Sequence, residues 1–396
     1  MIEEAQRLQQ VQEYYFSRKL KEVRGLVAQG RPVINMGIGS PDLAPAPEVL
    51  QTLQDSVLEA GAHQYQSYQG LPELRQTIAA FYAGKFGVEL NPDSEILPLM
   101  GSKEGIMHIS MAFLNPGDRA LIPDPGYPTY ASVTHLAGAV PVYYPLDEAH
   151  GWFPDLEALA ASDLNGVKLM WVSYPHMPTG AQASPAQLQA LVDFARRHQI
   201  LLINDNPYSF VLSQEPRSIL KSQGASGHVL ELNSLSKTFN MAGWRVGMAL
   251  GAGPLIASVL KVKSNMDSGM FYGIQKGAIA ALQSGPQWFE SLDAVYRARR
   301  RAVFELADLM GCAYDPEAVG MFVWARLPEG SGDSETYIDR LLYEKDLFVA
   351  PGTIFGSRGA GYIRFSLCVP EAKIREAIAR LAPAVSQEES SQKSKP

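Results

Sequence analysis

Cysteine is scarce in this sequence: Cys312 and Cys368 are the only two among 396 residues, and they stand far apart without metal-ligand spacing. A disulfide scaffold and a cysteine zinc site are therefore not expected, and we predict no bound metal. No apolar run reaches the roughly 20 residues that a membrane-spanning helix needs. The first residues, Met1 to Glu4, lack the basic and apolar regions of a signal peptide. These absences predict a soluble cytoplasmic protein without a membrane partner.

An excess of basic residues is also missing, since 34 lysines and arginines face 41 aspartates and glutamates and the formal net charge is −7. We therefore expect no nucleic-acid partner, because a protein that binds a phosphate backbone normally carries a positive field. Hydrophobic residues make up 46 % of the chain and charged residues 19 %, which indicates a large core. The length favours two domains of unequal size.

Short apolar runs alternate with amphipathic stretches from about Pro47 to Gly285, which is typical of an α/β fold with a mostly parallel sheet between helices. The predicted helices include Glu104–Leu114 and Pro185–His198. Ligands in such folds bind beyond the carboxyl ends of the strands. The seven predicted strands are Glu95–Leu99, Ala120–Pro123, Val140–Tyr144, Leu169–Ser173, Leu201–Asp205, Val229–Asn233 and Val246–Leu250.

The two ends of the chain have a different pattern. Helical spacing of apolar residues predicts a helix within Glu3–Gln29, and a long charged helix follows the sheet at about Gln287–Met310. The remainder indicates a smaller α+β domain with strands Met321–Arg326 and Tyr362–Leu367 and helices Ser334–Glu344 and Glu371–Leu381. We predict an amino-terminal arm that joins the small domain, a large domain, a small domain and a disordered tail, at residues 1–45, 46–285, 286–383 and 384–396.

The segment NSLSKTFNMAGWRVG, residues 233–247, carries the strongest chemical signal. The amine of Lys237 could form a Schiff base with an aldehyde if a closed pocket held it unprotonated. Around it, Ser234, Ser236 and Arg245 offer hydroxyl and guanidinium donors that suit a phosphate. Taken alone, the lysine would be read as an ordinary solvated side chain on a loop.

This pattern resembles the lysine motif of the fold-type I, pyridoxal-phosphate (PLP) dependent aminotransferases of the aspartate aminotransferase-like class I/II family. The resemblance extends from Gly37 to Arg364 and is nearest to bacterial enzymes that act on alanine, aspartate, aromatic amino acids or LL-diaminopimelate. It implies the PLP-dependent transferase fold and a Schiff base between Lys237 and PLP. It also implies that Ser234, Ser236 and Arg245 hold the cofactor phosphate.

Asp205 and Tyr208 follow the apolar strand that begins at Leu201. A carboxylate at this place could be a helix N-cap. The resemblance implies instead that Asp205 pairs with the protonated pyridine nitrogen of PLP, where it keeps the ring cationic. It likewise implies that Tyr208 donates a hydrogen bond to the phenolic oxygen of the cofactor.

Two turns after strands complete the predicted cofactor site. The segment MGSKEG at residues 100–105 opens a helix, and the free amides of a helix N-terminus suit an anion; a tight strand-to-helix turn is the alternative. By resemblance Ser102 and the amide of Lys103 bind the phosphate. In the segment DPGYPTY at residues 124–130, Tyr127 matches the aromatic residue that stacks on the pyridine ring, and a core tyrosine is the alternative.

Three residues are expected on the substrate side and at a subunit boundary. Arg364 lies between apolar residues in YIRFS, and its two-pronged donor suits a carboxylate; a structural salt bridge is the alternative. By resemblance Arg364 binds the α-carboxylate of the substrate and Gly39 belongs to the segment that closes over it. Tyr65 matches the tyrosine that reaches the phosphate in the neighbouring subunit, which implies a homodimer.

The resemblance implies a ping-pong aminotransferase that exchanges an amino group between an amino acid and a 2-oxo acid through pyridoxamine phosphate. One alternative is a PLP-dependent lyase of the cystathionine β-lyase-like or aminocyclopropane-carboxylate synthase-like kind, which would keep every cofactor residue. A PLP-binding regulator without enzymatic activity is a second alternative, although residues 1–45 are too short for a DNA-binding domain. The stretch Lys263–Phe271 contains no arginine, which disfavours a strict preference for aspartate.

The sequence departs from the family at one cofactor residue. Most relatives carry asparagine within NPxNPTG, where it donates a hydrogen bond to the phenolic oxygen of PLP, and this chain has Met177 there. Methionine cannot donate a hydrogen bond. The phenolic oxygen would then depend on Tyr208 and the proton of the Schiff base, unless His176 or a water reaches it.

We expect the substitution Met177→Asn to lower the pKa of the Schiff base nitrogen. A restored donor would compete for the phenolic oxygen, and a hydrogen bond worth about 1 kcal/mol corresponds to somewhat under one pKa unit. Titration of the visible absorbance of the cofactor measures this pKa. An unchanged or raised midpoint would contradict the expectation.

Overall fold

The computed structural model describes residues 2–9, 11 and 15–382. Thirteen β-strands lie within the part of the chain that it describes. In chain order they are β1 Ile34–Asn35, β2 Ile96–Leu99, β3 Arg119–Asp124, β4 Val140–Pro145, β5 Val167–Val172, β6 Leu201–Asp205, β7 Val229–Ser234, β8 Gly247–Gly251, β9 Ala313–Tyr314, β10 Phe322–Arg326, β11 Leu347–Phe348, β12 Ala350–Pro351 and β13 Tyr362–Ser366.

The same residues form thirteen α-helices, with short 3-10 turns between some of them. The helices are α1 Tyr15–Ala28, α2 Pro47–Ser56, α3 Pro72–Phe86, α4 Ser102–Phe113, α5 Thr129–Leu136, α6 Leu156–Ala160, α7 Pro185–His198, α8 Leu235–Thr238, α9 Gly253–Lys263, α10 Tyr272–Leu282, α11 Pro286–Leu309, α12 Ser334–Lys345 and α13 Glu371–Leu381. No helix in the described part of the chain is both long and apolar enough to cross a membrane.

A seven-stranded sheet organises the chain, in the order β2-β8-β7-β6-β5-β3-β4. Strand β8 runs antiparallel to both of its neighbours, and the remaining pairs are parallel. The parallel strands therefore end at one edge, where the loops after β3, β5, β6 and β7 meet. The predicted mostly parallel seven-stranded sheet is confirmed.

Helices cover both faces of this sheet because successive side chains of each strand point to opposite sides. In β5, Leu169 and Trp171 join a core with α4, α5 and α9, whereas Met170 and Val172 join a core with α7. All four are buried. A strand that is apolar on both faces must lie between two layers of helices, as the sequence pattern predicts.

A second, antiparallel sheet follows, in the order β12-β13-β10-β9, and β1 pairs in parallel with β11. Helices α11 and α13 contact each other beside this sheet. The α/β class with a smaller α+β part is thus confirmed. The domain boundaries at residues 45 and 285 stay predictions, and the predicted tail from residue 384 lies outside the described residues.

The predicted amino-terminal helix is wrong in its first part. Residues 2–9 contain only a 3-10 turn at Gln6–Leu8, and the α-helix among the described residues is Tyr15–Ala28. Residues 2–9 are all exposed, so burial of an apolar face does not stabilise a helix there. By contrast α7 has the predicted bounds, because Ser184 forms a capping box with Gln187 and Pro185 begins the helix.

Candidate active site

A cavity of about 520 Å³ lies at the edge of the large sheet where the parallel strands end. Every predicted site residue except Tyr65 lines it, although these residues come from segments far apart in the sequence. They are Gly39, Ser102, Lys103, Tyr127, Met177, Asp205, Tyr208, Ser234, Ser236, Lys237, Arg245 and Arg364.

One end of the cavity is rich in groups that can donate hydrogen bonds to an anion. Ser102 is the first residue of α4, and the Ser234 hydroxyl lies 2.8 Å from that of Ser236. Gly101 has a φ of +89°, and a Cβ there would lie 2.2 Å from Nη2 of Arg245. Only glycine therefore lets the guanidinium approach the start of α4.

Lys237 extends from the short helix α8 into this cavity. Its Nζ donates a hydrogen bond to the carbonyl oxygen of Gly39 over 2.5 Å. Burial lowers the pKa of the Lys237 ammonium, and the positive charges of Arg364 and Arg245 lower it further. The amine is thus more easily deprotonated than a solvated lysine, which excludes the reading of an ordinary surface side chain.

Asp205 is the last residue of β6, and no helix begins beside it, so the N-cap alternative is wrong. The hydroxyl of Tyr130 donates to its Oδ2 over 3.0 Å, whereas its Oδ1 is buried without a hydrogen-bond partner. Burial raises the pKa of Asp205 to about 6. A cationic partner at Oδ1 would satisfy this oxygen and restore the ionised form.

Two partly buried tyrosines line the cavity between these groups. The ring of Tyr127 meets that of Tyr130 edge-on at 5.6 Å, and the ring of Tyr208 meets that of Phe322 at 5.8 Å. Burial raises the pKa of the Tyr208 phenol well above its ordinary range. Tyr208 therefore stays protonated near neutral pH and can donate a hydrogen bond.

Arg364 is a buried cation on β13. Its Nη2 donates to the carbonyl oxygen of Gly37 over 2.9 Å, and its Nε has no hydrogen-bond partner. Its guanidinium carbon lies 3.9 Å from the ring centroid of Phe322 and 4.5 Å from that of Phe355. Within the described chain no carboxylate pairs with it, so the salt-bridge alternative is wrong. Burial lowers its pKa to about 10, and it remains charged near neutral pH.

Met177 contacts Arg364 directly, because Nη1 of Arg364 lies 3.4 Å from the sulfur. The buried thioether is a weak acceptor and offers no donor to the cavity. His176 does not line the cavity, and its Nδ1 lies 2.8 Å from the hydroxyl of Thr179. The suggested substitute role of His176 therefore gains no support from its position.

Tyr65 lies outside the cavity, and this residue is 90 % exposed. A separate pocket joins residues 63–66 to residues 268–271 there. The second of these segments is held by Asp267, which accepts from the buried Lys263 over 2.8 Å and from the amide of Gly269 over 2.7 Å. Within one chain, Tyr65 does not reach the predicted phosphate site.

The residues present fit PLP. The cavity joins a reactive amine, a cluster of phosphate donors and an aromatic wall. It also contains a buried carboxylate oxygen without a partner, and this orphaned oxygen is the most specific sign, because a protonated ring nitrogen would satisfy it. Arg364 offers a second, separate anion site.

Sequence reasoning missed several residues that line the cavity: Tyr15, Phe16, Tyr130, Phe322, Ile354 and Phe355. Tyr130 could have been found, because the aromatic segment DPGYPTY at residues 124–130 ends with it. The others come from α1, β10 and the turn after β12, and nothing in their local sequence indicates a site.

Comparison with known proteins identifies relatives over nearly the whole chain. Residues 31–381 match the aminotransferase class I and II family. An LL-diaminopimelate aminotransferase from Nitratidesulfovibrio vulgaris is 38 % identical over 96 % of this chain and 98 % of its own. An LL-diaminopimelate aminotransferase from Dehalococcoides mccartyi is 39 % identical with the same coverage.

Solved structures agree with this assignment. Substrate-bound BacF from Bacillus subtilis superposes with a TM-score of 0.92 at 34 % identity, covering 96 % of this chain and 97 % of that one. An aspartate aminotransferase variant from Thermus thermophilus superposes with a TM-score of 0.90 at 25 % identity, covering 96 % and 99 %. The predicted fold and resemblance are both confirmed.

The raised pKa of Asp205 predicts how the stability of the cofactor-free protein depends on pH. Because burial raises this pKa from 3.8 to about 6, the folded chain holds the proton more tightly than the unfolded chain. The stability from protonated Asp205 is therefore present below about pH 4 and is lost as the pH rises through 6. We expect Asp205→Asn to be more stable than the wild type by about 3 kcal/mol at pH 8 and equally stable near pH 4.

Denaturant unfolding of the cofactor-free proteins at both pH values measures this difference. Asp193→Asn changes a half-exposed aspartate and should shift stability little at either pH. An Asp205→Asn effect that is the same at pH 4 and pH 8 would contradict the prediction.

Proposed function

As a member of the aminotransferase class I and II family this chain is a PLP-dependent aminotransferase, and we propose that Lys237 is the residue that binds the cofactor and transfers the proton. The observation that carries the proposal is the meeting of Lys237, Asp205 and Arg364 in one cavity. A reactive amine, a buried acid and a buried cation are the three groups that this exchange requires.

PLP supplies an aldehyde and a ring that accepts electrons when it is bound. Asp205 would hold the ring nitrogen through the oxygen that lacks a partner, and Tyr127 would cover one face of the ring. Tyr208 would donate to the phenolic oxygen. The phosphate would be held by Ser102, the Lys103 amide, Ser234, Ser236 and Arg245.

Arg364 binds the α-carboxylate of the amino acid in this proposal. Its guanidinium is fixed by two aromatic rings and by the Gly37 carbonyl. A rigid two-pronged donor without an internal counter-ion suits an incoming carboxylate. The bound carboxylate would orient the Cα–H bond of the substrate toward Lys237.

Nζ of Lys237 then acts as general base and general acid. The lowered pKa of its ammonium favours the free amine relative to a solvated lysine, and this amine takes the proton from Cα. The hydrogen bond to Gly39 shows that Nζ can reach the segment that would close over the substrate. The amino acid leaves as a 2-oxo acid before the second substrate enters, so the kinetics are ping-pong.

The lyase alternative is not favoured, because the curated relatives are aminotransferases. Amino acids and 2-oxo acids are accordingly the substrates. The cytoplasmic location stays a prediction.

A homodimer completes the proposed site. Leu58, Tyr65, Met266 and Phe271 are large exposed apolar side chains of two neighbouring segments, and His63 stacks on Phe271 with ring centroids 6.1 Å apart. An exposed apolar surface of this kind is typical of a protein interface. A second copy of the chain would cover it, and Tyr65 would then reach the phosphate in the partner subunit.

Covalent attachment at Lys237 can be tested by borohydride reduction of the native enzyme. We expect the pyridoxyl label on the peptide that contains Lys237, and we expect Lys237→Ala to lose the label and to slow proton transfer on the order of 10⁴-fold. Peptide mass spectrometry and half-reaction kinetics measure the two effects. Lys261→Ala, at an exposed lysine, should keep both; a label on another lysine would refute the assignment.

Mixed dimers test whether Tyr65 acts across the subunit boundary. A dimer of one Tyr65→Phe chain and one Lys237→Ala chain contains one site with both natural residues, provided that Tyr65 serves the partner. We expect about half of the wild-type activity per dimer, and a Tyr65→Phe homodimer that binds PLP about 10- to 100-fold more weakly. Tyr68→Phe is the matched control at a neighbouring exposed tyrosine. A mixed dimer without activity would show that Tyr65 serves its own subunit, and a Tyr65→Phe homodimer that binds PLP as tightly as the wild type would show that Tyr65 serves neither site.

A further inference from the structure

The wall of the cavity beside Arg364 is apolar. It is formed by Tyr15 and Phe16 of α1, by Phe322 of β10, and by Ile354 and Phe355 of the turn after β12. None of these side chains carries a charge near neutral pH, and burial raises the pKa of Tyr15 to about 12. Whatever lies against this wall loses water without gaining an ionic partner.

This wall is held in place by the loop that follows β3. The amide of Gly126 donates to the carbonyl oxygen of Phe355 over 2.8 Å. The carboxylate of Asp124 accepts from the Ser357 hydroxyl over 2.6 Å and from the Arg358 amide over 3.0 Å. Ile354 and Phe355 are therefore fixed relative to the cofactor residues of the large sheet.

A second pocket of about 340 Å³ continues from the same wall and shares Tyr15, Ile354 and Phe355 with the cavity. No aspartate, glutamate, lysine or arginine lines it in the described chain. Its one titratable base is His135, and burial lowers the pKa of that imidazole. The ring is therefore neutral near pH 7, and the pocket adds space without adding a cation.

The basic side chains near the cavity all have other positions or partners. Lys103 and Arg245 lie at the phosphate end, and Lys237 and Arg364 are assigned to the cofactor and to the α-carboxylate. Lys19, on α1 with Tyr15, pairs with Glu22 and Asp339 over 2.8 and 2.7 Å. Arg18, also on α1, is exposed and lies outside the lining of both pockets, with its guanidinium carbon 5.9 Å from the ring centroid of Tyr15. Among the described residues that line the cavity and the second pocket, no further lysine or arginine is placed to bind a second carboxylate of the substrate.

The surface around Tyr65, which would face the site of the partner subunit, adds no lysine or arginine to that site. The segments that line the exposed pocket there, residues 63–66 and 268–271, contain no lysine, arginine, aspartate or glutamate. If this surface faces the neighbouring site, it adds aromatic and amide groups to it.

We infer that the amino donor carries a large apolar side chain, aromatic or branched aliphatic, which lies against Tyr15, Ile354 and Phe355. The inference rests on the proposed function, since it takes Arg364 as the site of the α-carboxylate. It separates this enzyme from the relatives named LL-diaminopimelate aminotransferases, because a distal ammonium and carboxylate would be desolvated here without partners.

The holoenzyme should be mixed with phenylalanine, leucine, aspartate and LL-diaminopimelate in turn while the absorbance of the bound cofactor is followed. We expect kcat/KM of the half-reaction to be at least about tenfold higher for phenylalanine or leucine. A higher value for aspartate or LL-diaminopimelate would overturn the inference and leave the proposed function intact. A bound cofactor that responds to no amino acid would overturn the proposed function instead.

Binding of two unreactive acids tests the wall without turnover. Calorimetry on the holoenzyme should give a Kd for 3-phenylpropanoate at least about tenfold lower than that for glutarate. Equal or tighter binding of glutarate would overturn the inference.

An arginine introduced into the wall gives the sharpest comparison between the binding of the two acids. Ile354→Arg should tighten glutarate and weaken 3-phenylpropanoate, each by about tenfold, whereas Ile354→Met should keep the wild-type order of preference. Leu309→Arg adds the same charge at an exposed position outside the cavity lining and should change neither Kd. If the Ile354→Arg enzyme binds both acids as the wild type does, the side chain of the amino donor does not lie against Ile354.

Discussion

Two buried ionisable groups without a salt-bridge partner in the described chain govern this site. Arg364 has one carbonyl and one thioether as hydrogen-bond acceptors, and Asp205 leaves one carboxylate oxygen without a partner. Each would be more stable with an ion of opposite sign, and each faces the cavity that contains Lys237. The folded chain therefore carries an electrostatic cost that a ligand relieves, so that ligand binding and stability are coupled.

The large sheet makes this arrangement possible. Parallel strands end at a common edge, so Asp205 at the end of β6 and Ser234 at the end of β7 lie at the same edge although 28 residues separate them in the sequence. These positions could be predicted, because short apolar strands with chemically distinct residues at their ends are visible in the sequence. The bounds of β6 and α7 were predicted without error for a related reason. Strand β6 ends at the polar residue Asp205, and helix α7 begins at a capping box.

What could not be predicted depends on contacts between distant segments. The position of β8 between β2 and β7 follows from no local pattern. Tyr15, Phe322 and Phe355 line the cavity only because α1, β10 and the turn after β12 fold against the large sheet. The extended amino-terminal helix was overpredicted because apolar spacing indicates a possible helix, whereas tertiary packing decides whether the helix forms.

Met177 connects the two halves of the site. Its sulfur contacts Arg364, and its side chain offers no hydrogen-bond donor. In our proposal, polar recognition in the cavity is concentrated on the groups that every amino acid substrate shares, the α-carboxylate and the atoms near the cofactor. Beyond them the chain presents aromatic and aliphatic surface, where affinity depends on shape and apolar area. In this proposal the chemistry resides at the strand ends of the large sheet, whereas discrimination between substrates resides in α1 and the turn after β12.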